Sequence, residues 1–174
     1  MWPVGARCAA YDAHMNTTPT PFRIRGLPAG PFAHLYGLPD EALRERGVHR
    51  YVADAKPGFP DRIALRDAEP GESVLLVNHT HHDLANPYRA SHAVFVIEGE
   101  QATFDRVGEV PACLRPRLLS VRAFDAVGMM VGADVVDGTL LEDAIARFFA
   151  DAQVEMLHVH YAKRGCYAAC VLRA

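Results

Sequence analysis

The sequence predicts an α+β fold: a mainly antiparallel sheet, curved or closing into a partial barrel, with one packed amphipathic helix and short helical turns near the N-terminus. Three observations carry this. Short apolar runs with period-two alternation recur between turn-rich segments, the mark of strands. The connections between most runs are too short for a crossover helix, so neighbouring strands pair antiparallel. Only one segment, beginning at Thr139, sustains apolar residues at helical spacing.

The elements follow in order. Residues 1–20 carry no periodic apolar pattern and run into Pro19 and Pro21, so they read as a flexible arm, with Met15 as a candidate start. Residues 21–174 form a single domain. Phe22 to Gly26 alternates apolar and basic residues as a first strand. A helical turn is expected over 32–36, and a short helix over 40–46, with acids first, bases last and Gly47 as a stop. Strands are expected over 49–54, 62–66, 73–78 and 93–97. The second and third of these would form a hairpin across Asp67-Ala-Glu-Pro-Gly71, which has strong turn chemistry. Residues 118–124 and 129–136 form another hairpin, and 154–161 with 166–173 a third. Thr139 to Glu142 fits a capping box, and Leu140, Leu141, Ala144, Ile145, Phe148 and Phe149 make the helix's apolar stripe.

Composition narrows the function. A chain of 174 residues, half hydrophobic and 22% charged, is long enough for one core without metal or disulfide support. A net charge of −3 and scattered basic residues argue against a nucleic-acid platform. No apolar run approaches the roughly 20 residues that span a bilayer. Four spread-out cysteines and no signal-like N-terminus point to a reducing cytoplasm. Nucleotide-loop, hydrolase-elbow and zinc-protease signatures are missing.

Histidine is the unusual feature: six of nine fall in two clusters. His79, His81 and His82 precede a polar loop of about a dozen residues carrying Asp83, Tyr88, Arg89, Ser91 and His92; loops of that length are often functional. His158 and His160 share one face of a strand whose other face, Leu157, Val159 and Tyr161, belongs to the core. A three-residue turn ending at Gly165 would set Cys166 opposite Ala162, Ala168 opposite His160 and Cys170 opposite His158, with Tyr167 on the core face. Imidazole and thiolate suit zinc or a similar divalent metal. His79, His81, His158 and His160 are the candidate metal ligands. His158, His160, Arg89, Ser91, Tyr88, Cys166 and Cys170 are the candidate lining of a ligand site, and either cysteine could serve as a nucleophile beside a His base. The bland alternative is a wetted face and a solvated loop.

Several segments together resemble a bacterial family catalogued as domain of unknown function 1203. They are Phe22 to Leu27, Asp67 to Gly71, Pro87 to Ser91, Asp125 to Met129, and His158 to His160 with Arg164 to Tyr167. The resemblance covers Phe22 to Ala174 and implies a compact protein of this size with no assigned activity or catalytic residues. Three functions stay open: a domain binding a small polar or anionic ligand in a His/Arg-lined cleft, a metal-assisted hydrolase or isomerase, and a structural or oligomerising β-domain, a homodimer among its forms.

Overall fold

The computed structural model describes residues 21–174, so the expected N-terminal arm and the candidate start at Met15 lie outside the described residues. Nine strands form two open antiparallel sheets. The larger has the order β5-β1-β9-β8-β6-β7, built from β1 (Phe22–Arg25), β5 (Asp105–Val107), β6 (Leu118–Phe124), β7 (Met130–Asp137), β8 (Met156–Tyr161) and β9 (Tyr167–Arg173). The smaller has the order β2-β3-β4, from β2 (His49–Val52), β3 (Ser73–His82) and β4 (Ala90–Ile97). The sheet does not close into a barrel. Among the described residues no helix is long and apolar enough to cross a membrane.

Period-two patterning decides which face each strand buries. Ile24, Val121, Leu157, Val159 and Val171 leave the larger sheet on one side and meet Leu141, Ile145 and Phe149 of helix α2 (Leu141–Phe149). Leu75, Val77, Val94 and Val96 leave the smaller sheet toward a second core, closed by Phe32 and Leu35 of a 3-10 turn (Gly30–Leu35) and Leu43 of helix α1 (Asp40–Arg44). Tyr167 of the larger sheet joins that second core, so the two sheets meet there.

Two expectations are corrected. Residues 62–66 form no strand. Asp61 is buried and its carboxylate accepts from the backbone N–H groups of Ile63, Ala64 and Ile97, winding the segment into a loop; β3 pairs with β2 instead. The capping box is not made either. Asp137 accepts from the N–H and hydroxyl of Thr139, and a 3-10 turn over Gly138–Leu140 leads into α2.

Candidate functional site

β3 continues past the expected end at Asn78, pairing His79 with His92 and Thr80 with Ser91. Between Thr80 and His82 the ladder slips by one residue. Such a bulge re-aims the side chains around it. His81 and His82 both turn toward the larger sheet, each with its ring centroid 5.4 Å from that of His158. The two histidine clusters therefore meet in space.

On the larger sheet a second slip decides the geometry. The β8–β9 turn spans four residues, because the Tyr161 N–H donates to the Cys166 carbonyl and the Gly165 N–H to the Tyr161 carbonyl; Gly165 adopts the positive φ (+72°) expected of it. Tyr167 faces His160, Ala169 faces Val159, and Cys170 returns opposite His158, leaving Ala168 as the extra residue. The three-residue turn and the pairing of Ala168 with His160 are thus corrected, and Tyr167 lies on the histidine side. Its ring stacks on His81 at 4.6 Å and 12°, while His92 lies nearly coplanar with His81, edge to edge, with centroids 4.9 Å apart at 13°.

His81, His92 and His160 each offer a ligand atom, all within 4.8 Å of one another. Nε2 of His81 lies 2.7 Å from Nδ1 of His92, a hydrogen bond with one proton between them. Nδ1 of His160 lies 3.1 Å from the Gly165 carbonyl. A carbonyl only accepts, so Nδ1 carries the proton and Nε2 the lone pair. That Nε2 is buried with no partner among the described residues, as are Nδ1 of His81 and Nδ1 of His158. Burial, and then the neighbouring imidazoles, push His81 down to about 2. Burial, followed by the charge of Arg122, pushes His160 to about 3; for His158, burial and His82 come ahead of Arg122, and the value falls to about 4. All three rings are neutral at pH 7, the form that binds metal.

A cleft of about 880 Å³ opens beside this cluster, with His92 and Cys166 in its wall. Arg62, Arg117, Lys163 and Arg164 line it together with Phe95 and Tyr161, and its lining holds no carboxylate. Arg117 is neutralised by Asp67, with 2.9 Å from Nη1 to Oδ2. Arg62, only 2% exposed, has no such partner among the described residues. It donates to the Tyr167 and Pro60 carbonyls and, at 3.1 Å, to Sγ of Cys166.

The other expected site residues lie elsewhere. His79 packs against Phe32, outside the trio. Asp83 orients no imidazole; it pairs with Arg89 at 2.8 Å on an exposed loop. Tyr88 and Ser91 are exposed, Tyr88 edge-on to Phe124. Burial pushes the Cys170 thiol up to about 11, away from the thiolate a nucleophile needs. His82 braces the β6–β7 turn through Nε2 and the Gly128 carbonyl, 2.9 Å apart. Sequence reasoning missed His92 as a member of the trio and Arg62 as a cleft residue. The longer β3 strand was the available signal for the first; the second carried none.

No curated protein and no solved structure matches the chain significantly. The family described as Protein of unknown function (DUF1203) matches residues 58–173, a stretch that holds the whole histidine cluster and the cleft, and the chain belongs to that family.

Proposed function

We propose that His81, His92 and His160 hold a divalent transition metal, zinc or a chemically similar ion, at a small-molecule site. One observation carries the reading: His160 keeps a buried, unpartnered Nε2 lone pair while its Nδ1–H is fixed on a backbone carbonyl, and the ligand atoms of two more neutral imidazoles lie within 4.8 Å. A metal-binding histidine nearly always anchors its second nitrogen in this way. Tetrahedral ligation at ~2.0–2.1 Å needs ring nitrogens ~3.3 Å apart, so His81 and His92 separate by about half an ångström as the ion replaces their shared proton. Three protein ligands leave a fourth position open, the arrangement of a catalytic metal. Such an ion polarises a carbonyl or activates water, which is hydrolase or isomerase chemistry.

A second reading rests on the cleft. A buried guanidinium with no carboxylate partner among the described residues, beside Lys163 and Arg164, favours a small anion whose apolar body lies against Phe95 and Tyr161. In that reading the domain binds its ligand without metal.

Elemental analysis of tag-free protein, purified without chelator or imidazole, separates the two. Near-stoichiometric metal is expected in the wild type and in His79→Ala, and less than a tenth as much in His160→Ala. A wild type that is folded, metal-free and unable to take up added Zn(II) or Co(II) overturns the metal site and leaves the cleft reading.

A further inference from the structure

The metal site just described has an unusual charge environment. Among the described residues, no carboxylate hydrogen-bonds to His81, His92, His158 or His160; their polar partners are one another and the Gly165 carbonyl. A metal-binding ring donates its second N–H to a carboxylate, a backbone carbonyl or water, and only the first of these brings negative charge to offset the ion. Here the nearby fixed charge is positive. Arg122 of β6 lies directly opposite His158 in the β6–β8 ladder, one position along from the pair formed by Val121 and Val159. Its charge acts on His92, His158 and His160. It is half-buried, and among the described residues it has neither an ion pair nor a side-chain hydrogen bond. A half-buried guanidinium gives up hydration, and one left without a partner is costly.

A divalent ion held by three neutral imidazoles brings two more positive charges beside this guanidinium. Coulomb repulsion at such range in a partly dry site weakens the ion's binding unless negative charge accompanies it. Among the described residues no carboxylate bonds to these rings or to Arg122. We propose that the fourth ligand of the metal is an oxyanion, a carboxylate or a phosphoryl group, which places one oxygen on the ion and another on the guanidinium of Arg122. A planar guanidinium fork matches both kinds of group, and a hard oxygen completes the coordination of the ion. The inference rests on the metal reading and names the substrate class for it: the molecule handled here carries an oxyanion at its reacting end. Arg122 is then both a brake on metal binding by the empty site and the anchor of the ligand.

Linkage makes this measurable. If an oxyanion tightens metal binding by some factor, the metal must tighten oxyanion binding by the same factor. The test measures Co(II) affinity by competition with a coloured chelator, in wild type, Arg122→Gln and Arg122→Lys, each with no added anion, with acetate or with inorganic phosphate. Circular dichroism confirms that each variant is folded. The visible bands of the Co(II) protein report whether the anion enters the coordination sphere.

In the wild type, acetate or phosphate is expected to raise Co(II) affinity roughly tenfold, with a matching gain in anion affinity. The stronger of the two identifies the ligand as carboxylate or phosphoryl. Arg122→Gln is expected to bind Co(II) more tightly than wild type without anion, and to lose most of the anion effect. Arg122→Lys retains the charge without the fork and falls between them. Co(II) binding that ignores both anions, or an anion effect that survives intact in Arg122→Gln, overturns the proposal while the metal site stands. A wild type that takes up no Co(II) at all removes the metal site itself, and this proposal with it.

Discussion

Gly26 ends β1 where the chain passes against the 62–63 loop, and a Cβ there would lie 2.1 Å from the Ile63 carbonyl oxygen and 2.9 Å from that of Arg62. Both obstacles are backbone, and the Leu27 N–H is already donated to the Arg62 carbonyl at 2.6 Å. The neighbour cannot give way cheaply. Gly26→Ala is expected to cost about 3 kcal/mol in urea unfolding, near the upper end for overpacking; a loss under about 0.5 kcal/mol would mean that the loop moves freely. The same loop presents Arg62 to the cleft. At this scale the site was only half legible. The histidines announced themselves by clustering, but which nitrogens converge depends on two bulges. A bulge is a one-residue insertion in a ladder, and alternation of residue types cannot reveal it when the residues on both sides are polar, as at Thr80 to His82, or small, as at Ala168 and Ala169.

Among the elements, α2 shows how a start signal can be correct in kind and misplaced in position. Thr139 and Glu142 satisfy the capping-box pattern, yet Asp137 caps the 3-10 turn that leads into α2, its carboxylate accepting 2.9 Å from the Thr139 N–H and 2.7 Å from the Thr139 hydroxyl. Asp137→Ala is expected to cost about 1 kcal/mol and Thr139→Val about half as much. Equal costs, or a larger one for Thr139→Val, would restore the capping box as the working device. The hairpins β6–β7 and β8–β9 were legible because turn glycines and apolar alternation agreed. The expected strand over 62–66 was not, since buried Asp61 winds the segment around the N–H groups of Ile63 and Ala64 while holding that of Ile97 in β4, and no pattern in its neighbours signals that.

For the whole molecule, the buried titratable groups set the response to acid. His81, His158 and His160 bind fewer protons folded than unfolded below pH ~6.5, because burial holds them near 2, 4 and 3. Their contribution to stability is therefore intact above about pH 6.5 and is lost as pH falls, at up to ~1.4 kcal/mol per unit for each ring. Asp61 acts in the opposite sense. Burial raises it to about 6, so the folded chain takes up its proton first and gains stability between about pH 6 and the ordinary carboxylate range near ~4. The three histidines outweigh the one acid. Chelator-treated protein is expected to lose about 3.5 kcal/mol between about pH 6.5 and about pH 5, a drop that His158→Leu should roughly halve. A flat denaturation midpoint across that interval, in the wild type, would contradict the burial of these rings.

His81 has one more consequence. Tyr167 covers one flat face of its ring, His92 lies nearly in the ring plane against the Nε2 edge, and two further imidazoles meet it at steep angles. A ring held so cannot easily swing aside to admit a visitor. Of the three rings His92 alone lines the cleft, so traffic from the cleft meets it first, as at a counter served through a window. Anything that reaches the trio comes head first, and its leading group alone decides whether it stays.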